Sequence, residues 1–386
     1  MTSGKGWIGS ATCSLLLGAV AALGAACGAE TTGGTPNGSG GSAPVGSGGS
    51  IAPPLGGQDG GGGGGSGGGG ATGTGGQVTP PIPDAEAPET AGAEAGPGDS
   101  AVMDPGSVGD GNSMISAPFM RAPETVARAN GPKGRVINFS LSGAASKVYP
   151  GNYMRPAAVY IPAGYVSGTE IPFMTAQDGL NFGYFPRLVT ILDNMIADGK
   201  LPAMAVVGSN PTNQRSVEYD TVSDAFTRFV ETELLPEAKR QAMTVANVDL
   251  NLTNDPEGRG SHGGSSGGSC AFVMGWFGNF RRILTVSGSF RPLQTSMMYP
   301  MGAAEFQSRL IANTPMKGFR AFLEAGSNDL GGWKVANDQL AAALGAKGYH
   351  YKYIFANGAG HTDGAAMNQY LPEAMLWVWR GYPIKK

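Results

Sequence analysis

Hydrophobic positions are sparse from about residue 28 to about residue 115 and become regularly spaced from about Gly134 onward. In that second region, short apolar runs alternate with segments of helical spacing. Ala157–Ile161, ahead of Pro162, and Ile171–Thr175 predict strands. Leu188, Ile191, Leu192 and Met195 recur at the interval of one helix face, so Phe185–Ile196 predicts a helix that closes near Asp198 and Gly199. Ala203–Gly208 is apolar throughout, as a strand covered on both faces of a parallel sheet should be. Asp224–Gln241 predicts a helix that Pro236 should end or kink. Ile283–Ser287, Phe319–Glu324 and Tyr349–Phe355 predict further strands, with a helix over Val335–Leu344. Repeated strand–helix alternation over residues 134–386 predicts one α/β domain, a mostly parallel central sheet with helices on both faces.

The chain ahead of that domain divides in two. Residues 1–26 carry Lys5, an apolar run from Ala11 to Ala22 and then small residues, the pattern of an export signal too short for a spanning helix. Leu23-Gly24-Ala25-Ala26-Cys27 resembles a bacterial lipoprotein cleavage box, which implies Cys27 as the lipidated first residue of an extracytoplasmic, membrane-anchored protein, with secretion as the alternative. Residues 27–115, rich in Gly, Ser, Pro, Thr and Ala, cannot bury enough apolar surface to offset their ordering entropy and are expected to form a disordered linker. Between Gly28 and Met120 stand nine carboxylates and no Lys or Arg, an acidic spacer ahead of a mildly basic domain. No Lys/Arg cluster interrupts that domain, so no nucleic-acid partner is expected. With Cys13 in the signal and Cys27 lipidated, Cys270 is the one thiol left and reads as a core residue.

Gly263-Gly264-Ser265-Ser266-Gly267 spells G-x-S-x-G between a strand-like and a helix-like segment. A serine hydroxyl becomes a nucleophile when a sharp turn presents it to a base, and the flanking glycines permit that turn. Three histidines compete for the base. His262 precedes the serine by three residues and cannot easily swing back to it, and His350 lies in a strand-like segment. His361, in the glycine-rich loop Asn357–His361 after the last predicted strand, is the candidate base. Asp329, after the strand over Phe319–Glu324, is the candidate orienting acid, with Asp338 and Asp363 as competitors. Oxyanion donors are expected from the amide of Ser266 and from the Gln177-Asp178-Gly179-Leu180 loop. No histidine, carboxylate or cysteine cluster has metal-ligand spacing, so no metal or other cofactor is expected.

Tyr160–Tyr165, Gln177-Asp178-Gly179, Gly199–Gly208, Arg215 with Glu218-Tyr219, Glu233–Pro236 and Ser287–Phe290, together with the serine pentapeptide, resemble motifs of the enterochelin-esterase and esterase-D branch of the α/β-hydrolases, over about 230 residues. The departures are Gln177 where a histidine often stands, Ser266 where many relatives have methionine, and a diluted pattern over Met243–Gly258. The resemblance implies a serine carboxylic-ester hydrolase with Ser265, Asp329 and His361 as its triad. Its substrate would be a small-molecule or polysaccharide ester, such as a siderophore, feruloyl or carbohydrate ester. Arg215 and Trp333 are candidate substrate contacts, each with an equally simple structural reading. The alternatives are an acyltransferase of the mycolyltransferase type and a non-catalytic surface-binding module.

Overall fold

A computed structural model describes residues 106–180 and 183–384. The export signal, Cys27 and the linker as far as residue 105 lie outside the described residues. In chain order the strands are β1 (Gly111–Ser116), β2 (Arg135–Ser142), β3 (Met154–Ile161), β4 (Glu170–Ile171), β5 (Phe173–Gln177), β6 (Ala205–Ser209), β7 (Asn251–Leu252), β8 (Arg259–Gly264), β9 (Arg282–Val286), β10 (Arg320–Asn328) and β11 (Tyr351–Gly360). The helices are α1 (Tyr184–Ala197), α2 (Arg215–Tyr219), α3 (Ala225–Phe229), α4 (Leu235–Ala246), α5 (Ser266–Phe277), α6 (Ile311–Asn313), α7 (Trp333–Lys347) and α8 (Gly364–Val378).

Nine strands form one sheet in the order β1-β11-β10-β9-β8-β5-β6-β3-β2, while β4 and β7 pair separately. Pairings from β1 through to β6 are parallel, and β3 runs antiparallel to both β6 and β2. Alternation along each strand feeds two cores. In β3, Ala157, Val159 and Ile161 face the core under α3, α4, α5 and α7, while Ala158 and Tyr160 face the one under α1 and α8. Phe272 of α5 anchors the first, packed edge-on against Phe290, Phe306 and Phe319. Cys270 is fully buried there, as its apolar neighbours predicted.

Two expectations need correction. The linker does not reach residue 115, because β1 pairs in parallel with β11 from Gly111 onward. Its side chains are mostly exposed, so backbone hydrogen bonding holds it and no apolar pattern marked it. Of the end or kink expected at Pro236, the end does not occur in the helix over 224–241. A π-helical turn at Val230–Leu234 precedes α4, Pro236 sits in the first turn of α4 where its missing N–H costs little, and the helix continues to Ala246 before Asn247 closes it in the left-handed region. Among the described residues no helix is long and apolar enough to cross a membrane.

Candidate active site

The parallel strands β8, β9, β10 and β11 deliver the site residues at their carboxyl ends. β8 is buried along its whole length and runs straight into Ser265, whose backbone (φ 58, ψ −128) lies where a non-glycine residue is strained. The surroundings hold that strain. The Ser265 amide donates to the Val286 carbonyl at 2.9 Å, and the Ser265 carbonyl accepts from the amides of Gly268 (2.9 Å) and Ser289 (3.1 Å). A side chain at position 263 would meet the Gly267 backbone, and one at 264 the Tyr184 hydroxyl, so both glycines are sterically required. The Ser265 side chain is left half-buried at the sharp turn where β8 gives way to α5.

Strands β10 and β11 run further than their apolar runs suggested, β11 through Asn357–Gly360 itself, so that His361 opens the turn immediately after the strand. Thr362 next to it has φ 49 and donates its amide to Ser287 Oγ at 3.1 Å. Ser265 and Thr362 are therefore pinned to consecutive residues at the end of β9. This draws the serine turn and the histidine turn together, with the Thr362 methyl against Gly264.

His361 Nδ1 and Asp329 Oδ1 are 2.5 Å apart, and the same oxygen accepts from the Leu330 amide at 2.7 Å. A carboxylate only accepts, so Nδ1 carries the proton and Nε2 keeps its lone pair. The Asp329 side chain is fully buried, whereas that of His361 is 22% exposed. The ring of Trp333 stands edge-on to the imidazole, centroids 6.0 Å apart. Among the described residues no hydrogen bond joins Ser265 to His361. Such contacts are often long without a ligand and tighten when one binds.

The competitors are engaged elsewhere. His262 lies buried in β8 with Nδ1 3.2 Å from the Leu284 carbonyl, and burial lowers its pKa to about 4, so it is neutral at pH 7. His350 is bonded to Asp110 at 2.7 Å. Asp363 caps α8, accepting from the amides of Ala365 and Ala366 at 2.8 and 3.0 Å. Asp338 binds Lys334 and the Tyr353 hydroxyl.

The loop after β5 packs on the first turn of α5, where a side chain at position 267 would touch Asp178 and Gln177. Two of its amides already have acceptors, Asp178 donating to the Tyr219 hydroxyl and Leu180 to Asn210 Oδ1, both at 3.2 Å. Gln177 ends β5, and its amide side chain donates to Thr175 and Ser261 beneath the site. The Ser266 amide opens α5 and has no intrahelical acceptor. Arg215 is an internal strap. Its guanidinium grips the fully buried Asp178 carboxylate, with Nε 3.0 Å from both oxygens, and reaches the Gly264 carbonyl at 3.4 Å. Its sequence neighbour Glu218 pairs instead with buried Arg155 at 2.7 Å.

Sequence reasoning passed over Glu324. It is buried in β10, accepts from the Tyr370 hydroxyl at 3.3 Å and leaves Oε1 without a partner. Burial and then nearby Asp329 raise its pKa to about 8. A lone carboxylate inside the apolar run of β10 was the available signal.

The chain matches the model of the family described as "Putative esterase" over residues 152–370, more than half its length. An uncharacterized Bacillus subtilis protein, YbbA, is 28% identical over 160 residues, which cover 39% of this chain and 62% of that protein, so the chain spans less than two thirds of this relative's length. Among solved structures, enterochelin esterase from Shigella flexneri superposes with a TM-score of 0.52 at 20% identity, covering 68% of this chain and 62% of that one. A ferulic acid esterase gives 0.50 at 17% identity, covering 65% of this chain and all of the other. The ferulic acid esterase of the anaerobic fungus Anaeromyces mucronatus gives 0.50 at 13% identity, covering 70% and 98%. At these identities the superpositions speak for the fold.

Proposed function

We propose a mechanism from one premise: the chain belongs to the esterase family of the α/β-hydrolases. It hydrolyses a carboxylic ester through an acyl-enzyme on Ser265. His361 Nε2 takes the proton as Ser265 Oγ attacks the ester carbonyl, and Asp329 fixes the tautomer and stabilises the imidazolium that forms. The amide of Ser266, with that of Gly179 in the Gln177–Leu180 loop, receives the oxyanion. The imidazolium gives its proton to the leaving alcohol oxygen, and the neutral His361 then takes a proton from the water that attacks the acyl-enzyme and releases the acid. The observation that carries this reading is the 2.5 Å contact between His361 Nδ1 and a buried Asp329, beside a strained serine turn. Arg215 belongs to the frame of the oxyanion loop, and Trp333 flanks the base.

The substrate is an ester met outside the cytoplasm, of the siderophore, feruloyl or carbohydrate kind. The domain of residues 134–386, which also takes in β1, is tethered by an acidic linker to a lipid on Cys27. The test is turnover of p-nitrophenyl butyrate and labelling by a fluorophosphonate. Ser265→Ala should lower kcat by roughly 10⁴-fold or more and abolish labelling. Residual turnover within tenfold of the parent would sink the assignment. The same assay with trehalose or glucose present separates hydrolysis from acyl transfer by its products.

A further inference from the structure

Among the described residues five that are not glycine have φ in the left-handed region: Asp178, Asn247, Ser265, Ser287 and Thr362. Asn247 closes α4, a place that suits asparagine. The other four gather at the site. Asp178 lies in the oxyanion loop, Ser265 is the nucleophile, Thr362 follows the base, and Ser287 stands just past the end of β9. Such backbone persists only where its surroundings over-determine it, and Thr362 is the most adverse case because its side chain is branched at Cβ.

Ser287 is fully buried, so it has no surface with which to touch substrate. Its backbone is fixed from three directions. The Val286 carbonyl before it accepts from the Ser265 amide at 2.9 Å, its own amide donates to the Glu324 carbonyl of β10 at 2.8 Å, and the Gly288 carbonyl after it accepts from Asn337 Nδ2 of α7 at 2.8 Å. The Ser287 hydroxyl oxygen therefore has a set place relative to the nucleophile, and there it accepts from the Thr362 amide at 3.1 Å. Asp329 holds His361 at Nδ1 alone, which leaves the ring free to swing about that bond and carry Nε2 with it. The contact to Thr362, one residue further along the backbone, takes that freedom away. Without it the strained Thr362 peptide would relax and move the imidazole. A base displaced by about 1 Å can cost about a hundredfold in rate.

We propose that Ser287 is a positioning residue: its hydroxyl oxygen, by accepting from the Thr362 amide, sets the distance between His361 Nε2 and Ser265 Oγ. The assignment rests on the esterase reading above and concerns the same site. Ser287→Ala and Ser287→Gly, made in the full chain, both remove the oxygen, but only glycine relieves the backbone at φ 47. For both variants kcat and KM on p-nitrophenyl butyrate should be measured beside the melting temperature. Both should lose kcat alike, by roughly tenfold to a hundredfold, with KM within about twofold of the parent. The glycine variant should nevertheless melt above the alanine variant. A serine that only supports the fold would make activity follow stability, with the glycine variant the more active of the two. That result overturns the proposal, as does a kcat within about twofold of the parent in either variant. A parent that neither cleaves the ester nor is labelled by a fluorophosphonate brings down the esterase reading and this proposal with it, whereas an active parent with unimpaired variants brings down this proposal alone.

Discussion

Replacing Asp329 by asparagine keeps the side chain's shape and removes its charge. The Asp329 side chain is fully buried and 2.5 Å from His361 Nδ1, so the carboxylate acts on the imidazolium with little screening from solvent. Taking the two charge centres as about 4 Å apart at an effective dielectric of about 20, their attraction is about 4 kcal/mol. If that stabilisation exists only once His361 is protonated, its loss slows acylation about a thousandfold. An asparagine turned with its NH₂ toward the ring would also favour the wrong tautomer, and the fall could then approach roughly 10⁴-fold. Because the Asp329 side chain has no exposed surface with which to touch substrate, KM should not change. Initial rates on p-nitrophenyl butyrate at pH 7 would measure both constants, with thermal melting to show that the variant is folded. A kcat within tenfold of the parent, from a folded variant, would refute the role of Asp329 and turn attention to Asp363. In the present reading Asp363→Ala costs about 1 kcal/mol as a lost helix cap and leaves kcat nearly intact.

Glu324→Gln should alter how stability depends on pH. The native state keeps the Glu324 proton up to about pH 8 and the unfolded chain loses it near 4.5, so stability falls as pH rises between those values, by at most about 1.4 kcal/mol per pH unit. His262, neutral in the fold down to about pH 4, works in the opposite direction below about 6.5, so the net decline shows between about 6.5 and 8 and the variant should flatten it. Parallel melting curves against pH for parent and variant would contradict this. Arg215→Ala strands the buried Asp178 carboxylate and should cost about 3 kcal/mol in chemical denaturation and lower kcat through the displaced oxyanion loop. A variant that kept its stability and changed only KM would return Arg215 to substrate binding. Gly264→Ala drives a methyl into the Tyr184 hydroxyl and should reduce kcat and melting temperature together, with partial recovery on adding Tyr184→Phe. Failure of that second change to restore either would show that another contact fixes the turn.

The parts of the fold that were legible in the sequence are those in which burial alone decides. β6, the Ala157–Ile161 part of β3 and most of β9 are buried and read as apolar runs, and α1 announces its buried stripe at helical spacing. The parts that were not legible owe their form to contacts the local pattern does not encode. β1 is exposed and held by its ladder to β11, and β8 is built of Arg, Gly, Ser and His, yet is wholly buried because helices press against both its faces. The Asn357–Gly360 stretch looked like a loop for its glycines, but Gly358 (φ 94) is a strand residue seated against Ala117. The serine pentapeptide and the order of its partners could be read from turn chemistry. The attachment of Arg215 to Asp178 rather than to Glu218 could not, since it depends on α2 meeting the loop after β5 over 37 residues of chain.

Glu324 shows what that blindness conceals. The carboxyl groups of Asp329 and Asp363 both act on that of Glu324 and disfavour its charged form. Asp363 is drawn to the amides that open α8, where an anion is welcome. Glu324 is lifted to about 8 by burial and by Asp329 itself, so at pH 7 it is mostly the neutral acid. Asp329 is then the one carboxylate of the three directed at the imidazole, and Glu324 can tolerate its buried site only while it keeps its proton. On this argument alkaline conditions should weaken the fold around β10. Loss of activity above about pH 8 should therefore track loss of structure in the parent, and Glu324→Gln should extend the active range upward.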